Sequence, residues 1–154
     1  MGSRFPIRPY LLLVSATTLW VCCLWLAPLL LSLGRGEAFW LYFFFKPICH
    51  QIPERSFFIS GFPLAVCHRC LGLYAGFWFG VLLLPVLRSF SRRIEARPRI
   101  ALAFAIPMLI DVVWGGSAVT RFATGLLAAF PFSCLVWLAI RQFTETSLSL
   151  RKRT

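Results

Sequence analysis

Long apolar runs, separated by short polar and basic segments, dominate the chain. A helix that crosses a bilayer needs about 20 mostly apolar residues, and stretches of about this length occur at residues 10–33, 68–87, 100–119 and 121–140. The first stretch is longer than the apolar region of a signal peptide, which has about 7–15 residues, so we expect it to be retained. The pattern predicts four transmembrane helices, the last two of which form a tight hairpin at residues 115–117.

The segment 34–67 fits none of these spans. Residues 38–45 are apolar and aromatic but too few to cross a bilayer, and Trp and Tyr favour the headgroup level. We therefore expect an interfacial helix or a re-entrant segment here. Turn-forming residues interrupt the chain that follows, namely Pro47, Pro53, Gly61 and Pro63. The segment is predicted to be a structured loop lying on the membrane between the first two spans.

The composition excludes a soluble protein. Hydrophobic residues make up 59% and charged residues 14% of the chain, whereas a soluble domain averages about 45–50% apolar and about 25% charged. A disordered chain is excluded as well, because it contains few apolar residues. The length of 154 residues fits one domain. We predict an all-α integral membrane protein whose single transmembrane domain occupies residues 1–154.

The distribution of basic residues predicts the orientation, because Lys and Arg concentrate on the cytoplasmic side of membrane proteins. One side of the predicted spans holds Arg4, Arg8, Arg88, Arg92, Arg93, Arg97, Arg99, Arg141, Arg151, Lys152 and Arg153, and the other holds Arg35, Lys46, Arg55, Arg69 and Arg121. Both termini and the link 88–99 are therefore expected in the cytoplasm of a multi-pass cell-membrane protein, and segment 34–67 is expected to face outward.

The net charge of +11 suggests an anionic partner, either nucleic acid or lipid. Nucleic-acid binding would need a basic face on a folded soluble domain, and the predicted spans leave no such domain. We expect the basic link 88–99 to contact anionic lipid headgroups instead. The sequence indicates neither a protein partner nor an oligomeric state.

Three glycines of the second predicted span, Gly72, Gly76 and Gly80, are spaced four residues apart. This spacing places them on one helix face and is typical of close helix packing in membranes. The alternative is that this flat face makes room for a lipid or a quinone ring.

Chemistry-bearing residues gather at the predicted outward ends of the spans. They are Cys49, His50, Gln51, Arg55, Ser56, Cys67, His68, Arg69, Cys70, Tyr74, Asp111 and Arg121. Ionisable groups near a membrane interior are costly, so they pair or line a functional cavity. An Asp111–Arg121 ion pair is the simplest arrangement, and the alternative is that Arg55, Asp111 and Arg121 hold a substrate or cofactor.

The cysteines support three hypotheses. Cys49, His50, Cys67 and Cys70 supply the thiolate and imidazole groups of a tetrahedral zinc site. Alternatively, Cys67 at a helix N-terminus attacks a disulfide and Cys70 resolves it, with Arg69 or Tyr74 holding a quinone. In the third hypothesis the protein is a membrane assembly or scaffold subunit in which the cysteines form only a structural disulfide. The mid-span cysteines are expected to act as small apolar residues; they are Cys22, Cys23 and Cys134.

The segments CHQIPERSFFISG, CHRCLGLYAG, PMLIDVVWGG and RFATGLL together resemble domain-of-unknown-function family 2085, small predicted membrane proteins of bacteria and archaea. The resemblance runs from about residue 47 to 128. It implies that the family's motif is matched by Cys49, His50, Gln51, Arg55, Ser56, Cys67, Arg69, Cys70, Gly72, Tyr74, Gly76, Asp111, Arg121, Thr124 and Gly125. His68 is outside this motif, which favours His50 as the fourth ligand. The resemblance implies no reaction.

The predicted architecture is also similar to that of quinone-linked, disulfide-forming membrane oxidoreductases, since a C-x-x-C element opens an outward span. Those proteins carry a second cysteine pair in an outward loop. The link between the third and fourth predicted spans has none.

Overall fold

The computed structural model describes residues 6–151 and is mostly helical. In chain order its elements are α1 (Ile7–Ser32), α2 (Ala38–Phe45), a 3₁₀ turn (Pro53–Arg55), β1 (Phe58–Ile59), β2 (Phe62–Pro63), α3 (His68–Leu83), α4 (Arg88–Ala96), α5 (Arg99–Ala103), α6 (Ile106–Trp114) and α7 (Ala118–Arg151). Arg4, Lys152 and Arg153, which enter the predicted charge distribution, lie outside the described residues.

Two helices, α1 and α7, are each long and apolar enough to cross a membrane. α3 is long and apolar enough only together with α4, and the two helices are bent by 113° relative to each other. Length and composition therefore allow two spans, or up to three, among the described residues. The third predicted span, 100–119, is divided between α5 and α6. Pro107 explains the break, because proline lacks a backbone N–H and clashes with the carbonyl four residues earlier. The structure therefore confirms a mostly helical protein with two helices that are able to span a membrane, or up to three spans if the bent pair counts as one, among the described residues.

The short link predicted at residues 115–117 is confirmed. α6 ends at Trp114 and α7 begins at Ala118. Gly115 adopts a left-handed conformation with φ of 70°, and its amide bonds to the Asp111 carbonyl at 3.1 Å. This is the usual glycine termination of a helix. The link reverses the chain within three residues, so Asp111 lies close to the start of α7.

α3 and α7 form the main helix pair of the protein, and glycines bring their backbones together. A Cβ at Gly72 or Gly76 would overlap the backbone of Phe122 or Leu126, respectively, on α7. A Cβ at Gly80 would overlap the Ser133 side chain. The packing role predicted for the glycines is confirmed, and the alternative of a quinone or lipid on this face is wrong, because α7 occupies it.

The segment 34–67 folds against one end of this pair. α2 packs against α1, and β1 pairs with β2 in an antiparallel hairpin. Ser60 and Gly61 form its turn with positive φ values of 51° and 82°. The helix at residues 38–45 agrees with the prediction, whereas the hairpin was not predicted, because its strands have only two residues each.

Candidate metal centre

Three cysteine side chains from two distant parts of the chain converge at the start of α3. Cys49 follows α2, Cys67 is the N-cap residue of α3, and Cys70 lies in its first turn. Their Sγ atoms all lie within 4.8 Å of one another. All three cysteines are free; Cys49 is buried, while Cys67 and Cys70 are half-buried. Sulfurs that bind one tetrahedral zinc ion through bonds of about 2.3 Å stand about 3.8 Å apart, so small side-chain movements would complete such a site.

A direct contact joins the two parts of the site. The backbone amide of Cys67 donates a hydrogen bond to the Cys49 Sγ atom at 3.2 Å. The Cys49 side chain is only 4% exposed and packs in a cluster with Phe45 and Leu71, among others. The position of Cys49 is therefore fixed by the apolar core as well as by the start of α3.

The Gln51 side chain connects α2 with the segment just before Cys67. Its side-chain amide donates hydrogen bonds to the Tyr42 carbonyl at 2.7 Å and to the Ala65 carbonyl at 2.8 Å. The Tyr42 hydroxyl donates in turn to the Pro63 carbonyl. Gln51 has a φ of 52°, a left-handed conformation that costs a non-glycine residue about 1–2 kcal/mol. The two hydrogen bonds of its side chain hold Gln51 in this conformation and hold the segment before Cys67 against the end of α2.

The electrostatic environment of Cys67 favours its thiolate. Hydrogen bonds with the Cys49 thiol, and then with the Cys70 thiol, lower the pKa of Cys67 below the usual value for a cysteine, and burial opposes them. The backbone amides of Cys70 and Arg69 add smaller effects in the same direction. The thiolate is the form of cysteine that binds metals and attacks disulfides. Cys67 is therefore suited to both chemistries that the sequence suggested.

The histidines do not join the three sulfurs in this conformation. His50 is exposed, and within the described part of the chain the group of close ligand atoms contains only the three cysteines. Residues 49 and 50 belong to no helix or strand, and the two side chains differ in burial, since Cys49 is buried and His50 is exposed. His68 is 6% exposed and packs against Phe57, with ring centroids 4.3 Å apart.

Tyr74 lies one helical turn after Cys70 and is half-buried. It packs against the apolar cluster that contains Cys49, as do Cys67 and Cys70. The Trp20 ring packs against the rings of Tyr74 and Phe45 at centroid distances of 5.6 and 5.3 Å. Tyr74 therefore places a polar side chain on the α1 side of the cysteine site.

A buried ion pair lies on the same turn of α3. Arg69 Nη2 donates to Asp111 Oδ2 at 2.6 Å, and the Asp111 side chain is only 5% exposed. The predicted partner was wrong, because Asp111 pairs with Arg69 rather than with Arg121. Arg121 still acts on Asp111 through its charge. The Thr120 hydroxyl, which donates to the Ser117 carbonyl at 3.1 Å, lies beside the carboxylate. A Cβ at Gly116 would overlap that carboxylate, so the glycine makes room for it.

Arg55 lies at the exposed end of the 3₁₀ turn. The supporting residues Tyr42 and Thr120 were missed by the sequence reasoning, and Gln51 was noted without a role. The segment C-H-Q was the available signal for Gln51. Nothing in the sequence marks Tyr42 or Thr120, because their partners are distant in the chain or are backbone atoms.

Comparisons with known proteins agree on the family. The family model described as "Predicted membrane protein (DUF2085)" matches residues 49–135. An uncharacterized protein of Methanocaldococcus jannaschii is 33% identical over 134 residues, which cover 79% of this chain and 85% of that protein. An uncharacterized protein of Methanothermobacter thermautotrophicus is 35% identical over 100 residues, which cover 59% of this chain and 86% of that protein. No solved structure matches the chain. The matched family range includes the cysteine site and Asp111.

Proposed function

The chain belongs to the DUF2085 family of predicted membrane proteins, and we propose that in this membrane protein Cys49, Cys67 and Cys70 bind a zinc ion through their thiolates. The observation that supports the proposal best is the convergence of the three Sγ atoms within 4.8 Å of one another. They come from sequence positions up to 21 residues apart.

Charge and chemistry both favour a metal over the alternatives. Three thiolates held close together repel one another, and a divalent cation removes this repulsion while binding all of them. A disulfide between any two of the cysteines would leave the third as an unpaired thiol. Thiolate ligands select soft or borderline metals such as zinc. The predicted fourth ligand, His50, is exposed and would have to turn toward the sulfurs to bind.

Metal analysis of the purified protein under reducing conditions tests the zinc site. We expect about one zinc per chain, and we expect Cys49→Ser, Cys67→Ser and Cys70→Ser each to lower this ratio strongly. Cys134→Ser is the matched control, because Cys134 is also buried but is outside the group of close ligand atoms. Wild-type protein without stoichiometric zinc, or zinc retained in all three variants, would contradict the proposal.

A second candidate function is thiol–disulfide exchange, and the lowered pKa of Cys67 favours it. The Cys67 thiolate would attack a substrate disulfide and release one substrate thiolate, which takes up a proton. The Cys70 thiolate would then displace the second substrate sulfur and form the Cys67–Cys70 disulfide. When the protein instead forms a disulfide in its substrate, these steps run in reverse and leave Cys67 and Cys70 as thiols. A quinone held by Arg69 or Tyr74 would then accept two electrons and two protons from these thiols and restore the Cys67–Cys70 disulfide.

The test of this candidate is a thiol count through one redox cycle. Mild reduction should make the Cys67 and Cys70 thiols available to an alkylating reagent, and added quinone should remove them again. If zinc-free protein shows no change in the number of Cys67 and Cys70 thiols after reduction and after addition of quinone, thiol–disulfide exchange is excluded.

We also propose four spans with both termini in the cytoplasm, in which α5 and α6 together form a broken third span. The Tyr10 hydroxyl bonds to the Leu82 carbonyl at 3.2 Å, which supports placing the start of α1 beside the end of α3. The Arg69–Asp111 pair supports placing the end of α6 beside the start of α3. Reporter enzymes fused within 34–67 and within 88–99 should give opposite sidedness, and equal sidedness would contradict this topology.

A further inference from the structure

The zinc site proposed above has three protein ligands, whereas zinc takes four. We infer that the fourth position is open and binds a lipid-soluble thiol, whose apolar body lies in the cavity between α1, α3 and α7. This inference rests on the proposed zinc site. Zinc sites with three protein ligands and one exchangeable ligand are typical of reactive rather than structural centres.

The cavity is large enough for such a ligand. Its volume is about 490 Å³, within the range of about 300–1,000 Å³ found for small-molecule sites. Four residues of α1, three of α3 and Ala129 of α7 line it, and most of them are apolar. The Thr17 hydroxyl in its wall already donates to carbonyls of its own helix at 2.9 and 3.1 Å. The cavity therefore suits a hydrocarbon body better than a polar one.

Tyr74 connects this cavity with the cysteine site. It lines the cavity together with Trp20, and it packs against the same apolar cluster as Cys67 and Cys70, a cluster that includes Cys49. The polar end of the cavity therefore lies toward the cysteines, and the remainder of the wall is apolar. This polarity orients an amphiphilic ligand with its donor group toward the metal and its tail between the helices.

The donor group follows from the chemistry of the site. Zinc bound by three thiolates accepts a fourth thiolate, since sites with four cysteine ligands are common. Binding would exchange a metal-bound water for the thiolate, and the thiol proton would pass to solvent. In this proposal the Tyr74 hydroxyl, one helical turn after Cys70, donates a hydrogen bond to the bound sulfur.

Cobalt-substituted protein tests the inference, because the absorption of cobalt reports on its ligands. The probes are 1-octanethiol and 2-mercaptoethanol, which share a donor group and differ in the apolar tail. We expect 1-octanethiol to bind at least about ten-fold more tightly, because its additional methylene groups are buried in the cavity. Ala16→Leu, which partly fills the cavity, should reduce that preference without changing the cobalt content.

Ala75→Leu is the matched control. Ala75 lines a different cavity of about 450 Å³, which Tyr74 does not line, so the same substitution there should preserve the preference. Partition of 1-octanethiol into detergent or lipid is common to all variants and cancels in this comparison. Tyr74→Phe should weaken the binding of both thiols and leave the ratio of their affinities unchanged.

The outcomes separate the two proposals. Protein that binds no cobalt or zinc refutes the metal site and this inference with it. If cobalt binds but neither thiol changes its spectrum, the open site is refuted and the zinc proposal is unaffected. The same holds if Ala16→Leu leaves the preference for 1-octanethiol over 2-mercaptoethanol unchanged. A cobalt spectrum that His50→Ala alters would place His50 in the fourth position and would likewise overturn the inference.

Discussion

The contact between α3 and α7 makes a sharp prediction at Gly125 of α7. A Cβ at this position would lie 2.6 Å from the Arg69 carbonyl oxygen and 3.2 Å from the Leu73 amide nitrogen, whereas ordinary contact begins at 3.4 Å. The substitution Gly125→Ala therefore requires the first turn of α3 to move away by 3.4 − 2.6 = 0.8 Å. That turn carries Arg69 and Cys70, so both stability and metal binding should change.

The magnitude follows from the cost of overpacking. Adding one methyl group against backbone atoms typically costs about 1–3 kcal/mol, which corresponds to a fall of about 2–12 °C in Tm for a chain of this size. Zinc affinity should fall by about ten-fold, as is usual when the support of metal ligands is disturbed. The assays are thermal unfolding at a fixed scan rate and competition for zinc with a chelating dye.

The control for this prediction is Gly36→Ala. No atom lies within 4 Å of the position that a Cβ of residue 36 would occupy, and Gly36 has no positive φ, so its Tm should hardly change. Alanine is also the better helix former by about 1 kcal/mol. Without the contact, Gly125→Ala would therefore raise the Tm, and a Tm equal to or above that of the wild-type protein would refute the reasoning.

Three further predictions concern the supporting residues. Gln51→Ala should lower zinc affinity about ten-fold, because two carbonyls lose their donor; competition with a chelating dye measures this. Asp111→Asn should lower the free energy of unfolding by about 3 kcal/mol, because it leaves the Arg69 charge unpaired; thermal unfolding measures it. Replacing both Arg92 and Arg93 by Gln should weaken the binding of anionic lipids about 25-fold, from about 1 kcal/mol per basic residue; lipid retention in native mass spectrometry measures it.

Each of these predictions has its own control. Glu54→Gln, at an exposed position of the 3₁₀ turn, should leave zinc affinity unchanged, and an equal loss in both variants would remove the role given to Gln51. The double variant Arg69→Gln with Asp111→Asn should recover part of the lost stability, and strictly additive losses would argue against the ion pair. Arg55→Gln, predicted to face the other side of the membrane, should retain the anionic lipids that the α4 variant loses.

Local patterns predicted several elements correctly because their causes are local. The length and apolar character of α1 follow from its own residues, and the link at residues 115–117 follows from glycines that permit a reversal. The third predicted span shows the limit of such patterns. Its hydrophobic content was sufficient, but Pro107 interrupts the backbone hydrogen bonds and divides it into α5 and α6.

The candidate site was predictable in part. The sequence indicated Cys49, Cys67 and Cys70 by residue type and spacing, and the structure brings them together. It could not choose between Arg69 and Arg121 as the partner of Asp111. That choice depends on how α3 and α6 each pack against α7, and Arg69 is 42 residues away along the chain. The role of Gln51 was equally inaccessible, because both acceptors are backbone carbonyls that only folding brings close.

The sequence by itself determined that this protein is helical and resides in a membrane, since hydrophobic content and run length are properties of the residues alone. It also determined the chemistry that is available, because thiols and charged groups are placed at the ends of apolar segments. Only the tertiary structure decided which of these groups meet. The close approach of α3 and α7 requires the glycines of each helix to face the other helix, and the fold of segment 34–67 brings Cys49 to Cys67 across 18 residues of sequence.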